Sequence, residues 1–194
     1  MRPASWILAG TLCLALLLIP VRTSLHSIPE KDFSPRVQQN PRLLSYEPLM
    51  RQYADSIGWD WRLLASVIYH ESRFSNQATS HKGATGLMQI NSSRYSKEHL
   101  LDPSFNLSVG TAYLKKLERM YTASSSLDTL KFALAAYNLG EGKVNKLVMD
   151  AHSAGLNAAC WDSVAVLLPP GHHTVSYVRK VLDSYSLYRR LYPL

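Results

Sequence analysis

Residues 60–72 read DWRLLASVIYHES, and this stretch sets the expected fold. A helix is predicted to follow Asp60 and to run to about Ser72. Apolar residues occupy nearly its whole circumference, which is typical of a helix at the centre of a domain. The carboxylic acid Glu71 therefore lies at the end of an apolar helix, just before a polar segment.

Further helices are predicted on both sides of this central one, because apolar residues recur there at spacings of three and four. Upstream, one helix face runs from Tyr46 to Ile57, with Ser45 capping its start and Gly58 ending it. The last helix carries the clearest stripe, from Tyr177 to Leu191, and Thr174 is its expected cap. Between them the same period returns in residues 107–121, 127–137 and 144–151.

The segment from Phe74 to Asn91 interrupts the helical period with small polar residues and two glycines. Gly83 and Gly86 permit backbone angles that other residues avoid, so we interpret the segment as a shaped loop. No set of alternating apolar and polar segments predicts a substantial sheet. The fold class is therefore all-α, with a minor hairpin inside residues 74–105 left open.

The first 24 residues are predicted to be an export signal. Arg2 precedes an apolar run from Trp6 to Ile19, which is about 14 residues long. A membrane-spanning helix needs roughly 20 residues, so an uncleaved anchor lengthened through Val21 is the alternative. In either case we expect an exported protein of the periplasm or cell envelope.

Residues 25–44 contain three prolines among polar residues and are predicted to be a linker. The folded domain is then expected to cover residues 45–194. An apolar fraction of 46% and a charged fraction of 18% exclude a largely disordered or fibrous chain. Loss of Cys13 with the signal would leave only Cys160, so no internal disulfide is expected.

The formal charge of +7 suits an anionic polymer. Cell wall, nucleic acid and acidic lipid headgroups all meet that description. The positive residues are scattered, however, whereas nucleic-acid-binding arms group them into runs.

Glu71 is a candidate general acid because two effects raise its expected pKa. The negative end of the helix dipole disfavours a carboxylate there, and burial against apolar neighbours disfavours it further. A carboxyl that stays protonated near neutral pH can donate its proton in catalysis. Taken alone, the residue would better suit a solvated glutamate at a helix end.

The residues that accompany Glu71 favour the catalytic interpretation. His70-Glu71-Ser72 is followed by GATGLMQI at residues 83–90, then by the stretch 106–114, by AAYNLGEG at residues 135–142, and by Tyr177-Val178. This succession resembles the catalytic domain of soluble lytic murein transglycosylases. The resemblance covers about residues 45–190, and several motifs in the correct order are far more specific than any one of them.

The resemblance implies a helical fold like that of goose-type lysozyme, with Glu71 as the catalytic residue in a groove that binds peptidoglycan glycan strands. It also implies that Ser80 and Gln89 hydrogen-bond substrate and that the Tyr177 hydroxyl approaches the catalytic carboxyl. Tyr137 and Asn138 fall on the motif that floors the groove. Alternatives for the last two are a core tyrosine and a helix cap, and Ser80 could instead only hold its loop.

The implied reaction cleaves the bond between N-acetylmuramic acid (MurNAc) and N-acetylglucosamine (GlcNAc) without water. Glu71 would protonate the bond, then accept a proton from the C6 hydroxyl while a 1,6-anhydro ring closes. We expect a monomeric lyase that needs no cofactor and no metal, and no nucleic-acid partner. A partner in an envelope machinery is left unassigned.

Two other functions remain open at the level of sequence. Glu98 or Asp102 could fold across the groove and position a water, which would make the protein a hydrolytic muramidase. A non-catalytic peptidoglycan-binding module would keep the groove without turnover.

Several further residues bear on the expected site. Trp59, Trp61 and Trp161 could stack on sugars, although core packing is expected for at least two. The adjacent His172 and His173 lack metal-ligand spacing and are expected in a loop or helix cap. The family pattern is altered at Asn91-Ser92 and at His173-Thr174, where relatives often carry Met-Pro and Glu-Thr.

Overall fold

The computed structural model describes residues 41–91 and 94–193. Within these residues the chain forms eight helices and no named strand, which confirms the all-α fold class. The predicted export signal, and the linker up to residue 40, lie outside the described residues. The helices are α1 (Pro41–Ile57), α2 (Trp61–Ser72), α3 (Lys97–Leu101), α4 (Pro103–Met120), α5 (Ser126–Leu139), α6 (Glu141–Ser153), α7 (Trp161–Ala165) and α8 (His173–Leu191).

Helix α2 forms the centre of the domain, as its all-round apolar sequence predicts. Every residue from Trp61 to Ile68 is buried, and α2 packs chiefly against α8 and α1. The Asp60 carboxylate accepts a hydrogen bond from the Arg62 backbone N–H at 2.9 Å, which satisfies a donor of the first turn. The three tryptophans considered for sugar stacking, Trp59, Trp61 and Trp161, are also buried in this core.

Two predicted features of the first helix are wrong. Helix α1 already includes residues 41–44, which the sequence assigned to the linker, and Leu43 is fully buried. Ser45 consequently lies inside the helix, and its hydroxyl donates to the Arg42 carbonyl at 2.8 Å instead of capping the start. The predicted end is confirmed, because Gly58 follows the helix with a φ of 71°.

The cap of the last helix also differs from the prediction. His172 is the N-cap of α8, and its Nδ1 accepts a hydrogen bond from the Thr174 N–H at 3.2 Å. Thr174 lies within the first turn and is fully buried, so its hydroxyl is turned into the domain. The histidine pair is therefore a helix-cap pair, with the two rings stacked at 4.4 Å between centroids.

In the described residues of the loop between α2 and α3, two isolated bridges pair Thr85 with Thr79 and with Ile90. The described part of this region therefore contains no regular β-hairpin. Gly83 and Gly86 have φ values of 82° and 81°, as expected of a shaped loop. The short helices α3 and α7, of five residues each, were not predicted. Among the described residues, no helix has both the length and the apolar character needed to cross a membrane.

Candidate active site

The end of α2 places Glu71 at the edge of the core. Arg73 and Phe74 follow with φ values of 54° and 60°, in the left-handed region where a side chain is disfavoured. This conformation stops the helix abruptly, and the fully buried Phe74 anchors the chain beyond the turn. Glu71 is thereby held half-buried in the last turn of α2.

Burial raises the pKa of Glu71 to about 7, against a hydrogen bond from Tyr177 that lowers the pKa. The Tyr177 hydroxyl donates to Glu71 Oε1 at 2.6 Å and comes from the second turn of α8. With this pKa, the carboxyl is about half protonated at neutral pH. It can therefore give up a proton and take one back under the same conditions, as a general acid and base must.

A second tyrosine hydroxyl lies near the carboxyl but is used differently. Tyr137, from the last turn of α5, donates to the Met88 carbonyl at 2.6 Å. Burial, and then the negative charge of Glu71, raises the pKa of both Tyr137 and Tyr177 well above the usual tyrosine value. Both side chains therefore remain neutral hydrogen-bond donors beside the carboxyl.

Asn138 and Thr174 connect the helices that carry these two tyrosines. The buried Thr174 hydroxyl donates to Asn138 Oδ1 at 2.8 Å, which joins the end of α5 to the start of α8. The side-chain oxygen of Asn138 is thus occupied within the protein. This bond fixes the relative position of the two helix ends that flank Glu71.

Ser80 and Gln89 belong to the loop between α2 and α3, and both make hydrogen bonds within it. Ser80 is exposed, and its Oγ accepts from the Ala84 N–H at 3.0 Å. Gln89 Nε2 donates to the Ala78 carbonyl at 3.2 Å and to the Gly86 carbonyl at 3.0 Å. Gln89 also has a φ of 49°, which is unusual for a residue other than glycine.

A groove of about 720 Å³ runs along α4 and the loop. Gln89 and Tyr137 line it, whereas Glu71, Ser80, Asn138 and Tyr177 do not. Glu71 nevertheless lies close to the groove, since its charge influences the pKa of Tyr137. The other lining side chains are Ile90, Asn91, Arg94, Tyr95, Ser108, Val109, Ala112, Tyr113 and Lys116.

The two carboxylates considered as helpers of Glu71 have local partners. Asp102 caps α4 and accepts from the Phe105 N–H at 2.7 Å. Glu98 lies in the first turn of α3, where hydrogen bonds from its own backbone N–H and from Ser96 lower its pKa. Each is explained by the start of a helix, and neither lines the groove.

Glu141 forms a third carboxylate site, which the sequence did not predict. It accepts hydrogen bonds from the groove residues Tyr113 and Lys116, and these bonds lower its pKa. Tyr113 was expected only as part of an apolar helix face. The spacing of Tyr113 within α4 could not predict this contact, because Glu141 belongs to a different helix, α6.

Asn106 begins the stretch 106–114 that supports the family resemblance, but the sequence predicted no role for it. It is fully buried in α4, and its amide bonds to the loop that carries Gln89. The detectable signal was a polar residue at a core position of an otherwise apolar helix face. Among the described residues, no cluster of His, Cys, Asp and Glu suited to a metal ion is found.

Comparisons with known proteins agree with the geometry. A family model described as Transglycosylase SLT domain matches residues 48–158. The chain is 32% identical over 182 residues to membrane-bound lytic murein transglycosylase F of Desulfosudis oleivorans, covering 82% of this chain and 39% of the relative. It is 36% identical over 141 residues to the protein of that name from Stutzerimonas stutzeri, covering 71% and 29%.

A solved structure shows the same architecture. The 70 kDa soluble lytic transglycosylase of Escherichia coli superposes with a TM-score of 0.62 at 25% identity, over 76% of this chain and 24% of that protein. The fold is therefore the lysozyme-like fold of that enzyme. The chain spans about two fifths or less of the curated relatives given above.

Proposed function

Since this chain belongs to the transglycosylase SLT family, we propose that it is a peptidoglycan lytic transglycosylase that cleaves the MurNAc–GlcNAc bond without water. The observation that carries the proposal is the state of Glu71. It is a half-buried carboxyl with a pKa of about 7, hydrogen-bonded to the Tyr177 hydroxyl and lying beside the groove. The names of the relatives support the same reaction class.

In the first step, Glu71 donates its proton to the glycosidic oxygen, and the bond from that oxygen to C1 of MurNAc breaks. Tyr177 holds Oε1 from one side, so Oε2 is the oxygen expected to carry the proton. The departing GlcNAc leaves with a neutral hydroxyl. Positive charge develops at C1, and the substrate's acetamido oxygen can stabilise it.

In the second step, the C6 hydroxyl of the same MurNAc attacks C1 and gives its proton to the Glu71 carboxylate. The ring closes to 1,6-anhydro-MurNAc, and Glu71 regains the protonated form with which it began. No water is consumed. An attack within one sugar needs no second reactant to be brought in, which favours it strongly over a bimolecular step.

We assign supporting roles to the residues around the carboxyl. Tyr177 orients Glu71 by its hydrogen bond, and Gln89 and Tyr137 contact the glycan from the groove. Asn138 keeps the helix ends in place through Thr174. Ser80 contributes a hydroxyl that can still donate, because its oxygen is the acceptor in its bond with Ala84.

The substrate and location follow from the same proposal. The protein acts as a monomer on peptidoglycan glycan strands in the periplasm or cell envelope. The apolar run from Trp6 to Ile19 supports export, and the relatives are named as membrane-bound murein transglycosylases.

Mass spectrometry of digested peptidoglycan tests the reaction. The wild-type protein should release fragments that end in 1,6-anhydro-MurNAc. Each should be lighter by one water than the same fragment with a reducing end. Glu71→Gln should release none while still sedimenting with insoluble peptidoglycan. Fragments with only reducing ends would identify a hydrolytic muramidase, and undiminished cleavage by the variant would remove Glu71 from the mechanism.

A further inference from the structure

We propose that Asn106 is a positioning residue that holds Gln89 in its place on the groove wall. The inference rests on the proposed function, in which Gln89 contacts the glycan. Asn106 itself is fully buried in α4 and does not line the groove. It therefore acts on substrate only through the loop.

The amide of Asn106 hydrogen-bonds to two residues of the loop and to one residue of α3. Nδ2 donates to the Thr85 carbonyl at 2.9 Å and to the Leu100 carbonyl at 2.8 Å. Oδ1 accepts from the Met88 N–H at 2.8 Å. The orientation of the amide is thereby fixed, because its NH2 group donates to two carbonyls and its oxygen accepts from an N–H.

Met88, the residue before Gln89, is immobilised from three directions. Asn106 binds its N–H, and Tyr137 binds its carbonyl at 2.6 Å. Its side chain packs on Gly110 of α4, where an added Cβ would overlap the Met88 sulfur. The backbone of Met88 therefore cannot turn without breaking a contact to α4 or α5.

This immobilisation explains how Gln89 keeps a left-handed backbone, which costs free energy for a residue with a side chain. Met88 is fixed on one side of Gln89, and the paired Thr85 and Ile90 close the turn on the other, with both N–H···O bonds at 3.0 Å. Without the Asn106 bond, the Met88 N–H would be buried and unpaired. Relaxation of the turn would then remove Gln89 from its place in the groove.

Gly86 shows how closely the loop fits this side chain. A Cβ on Gly86 would overlap Asn106 Nδ2 and the Leu100 carbonyl oxygen. The motif glycine is thus required by the approach of the asparagine as well as by its own φ of 81°. Asn106 and the loop are matched in shape.

A double-mutant cycle tests the proposal. Asn106→Asp keeps the shape but places a carboxylate oxygen against two carbonyls, so kcat/KM for anhydro-product release should fall by about 10- to 100-fold. Gln89→Ala should cause a comparable fall. The double variant should be no worse than Gln89→Ala alone, because Asn106 acts through Gln89.

Two further variants separate positioning from general stability. Thr111→Val removes a buried hydroxyl further along α4, whose hydrogen bonds, to the Leu107 carbonyl at 2.7 Å and the Ser108 carbonyl at 3.3 Å, both lie within that helix. Its kcat/KM should stay near the wild-type value. Gly110→Ala should preserve α4, since alanine favours helix, but should displace Met88 and reduce kcat/KM with the same dependence on Gln89.

Independent losses that multiply in the double variant would overturn the proposal, as would full activity of Gln89→Ala in an active wild-type background. If Asn106→Asp does not fold, as measured by circular dichroism, the Gly110→Ala cycle decides in its place. Absence of anhydro product from the wild-type protein would instead overturn the proposed function. The two failures are therefore distinguished by the wild-type control.

Discussion

At the residue scale, the burial that suits Glu71 to acid–base catalysis also lowers the stability of the folded protein at neutral pH. Burial that raises its pKa to about 7 opposes its ionisation in the folded protein. In the unfolded chain the same side chain ionises near its ordinary value of about 4.5. The folded state therefore binds a proton that the unfolded state releases, across the pH interval between these two values.

Glu71→Gln should consequently change how stability depends on pH. The folded pKa is raised, so the contribution of Glu71 is present below pH 4.5 and is lost as the pH rises through 7. Relative to the wild type, the variant should gain up to about 3 kcal/mol in free energy of unfolding between pH 4 and pH 8. Urea denaturation of both proteins at several pH values measures this. Parallel curves would contradict the raised pKa.

Tyr177→Phe should move the pH dependence of catalysis in a defined direction. In the wild type, the hydrogen bond from Tyr177 lowers the pKa of Glu71. Removal of this bond should therefore raise the pKa of Glu71 further. The basic limb of kcat/KM against pH, expected near 7 in the wild type, should move to higher pH. The maximal rate should fall by roughly 10-fold because the carboxyl is less well oriented. A basic limb that stays in place would refute the assignment of that limb to Glu71.

At the element scale, the start of α2 is stabilised by a small ionic network. The Asp60 carboxylate accepts from the buried Arg62 guanidinium at 2.6 Å and from the Tyr185 hydroxyl of α8 at 3.0 Å. Arg62 also donates to the Tyr192 carbonyl at 2.8 Å. Burial raises the pKa of Asp60, but the bonds from Arg62 and Tyr185 together lower it, so the pair remains ionised.

Asp60→Ala should therefore destabilise the fold much more than the loss of a surface charge. It removes the N-cap of α2 and leaves Arg62, which is only 4% exposed, without its partner carboxylate. We expect a loss of about 3 kcal/mol in the free energy of unfolding. Glu47→Ala, which breaks an exposed pair with Arg51 on α1, should cost roughly 0.5 kcal/mol. Equal losses in thermal or urea denaturation would show that the network contributes little.

The elements also show what could be predicted from the sequence. Helix α2 was predictable because its twelve residues are mostly apolar, which indicates a buried helix. Helices α3 and α7 were not, since five residues are too few for a period of 3.6 to appear. The predicted caps at Ser45 and Thr174 were wrong because tertiary contacts determine where these helices begin and how they are positioned. Leu43 is buried in the core, and Thr174 hydrogen-bonds to Asn138.

At the scale of the whole molecule, the site is an intersection of elements that are distant in sequence. The end of α2 supplies Glu71, the start of α8 supplies Tyr177, and the end of α5 supplies Tyr137. Motif resemblance predicted these three residues as members of the site. It could not show that Asn106 fixes the loop, or that Tyr113 and Lys116 share Glu141, because such contacts depend on how helices pack.

The contact between α2 and α8 also carries a second half-buried titratable group, His70, next to Glu71. His70 Nε2 is hydrogen-bonded to the buried Ser184 hydroxyl at 2.8 Å. Burial, helped by the positive charge of Arg73, lowers the pKa of His70 to about 4. The folded domain therefore favours the neutral form of both residues. This raises the pKa of the acid Glu71 and lowers the pKa of the base His70.

His70 should limit the stability of the molecule in acid. Its folded pKa lies below the ordinary value of 6.5, so its contribution is present above pH 6.5 and is lost as the pH falls towards 4. His70→Gln, which retains a side-chain hydrogen-bonding group for Ser184, should remove that loss. Between pH 7 and pH 4 the variant should gain up to about 3 kcal/mol in free energy of unfolding relative to the wild type.

The two neighbouring substitutions then make a sharp pair of controls. Glu71→Gln should improve relative stability only on raising the pH, and His70→Gln only on lowering it. Between about pH 4.5 and pH 6.5 the two contributions have opposite slopes and cancel in the wild type, so the stability of each single variant should depend more steeply on pH than that of the wild type. The variant with both changes should be as flat as the wild type in this interval. An acid loss in Glu71→Gln that persists undiminished in the variant with both changes would place the acid-sensitive group outside the α2–α8 contact.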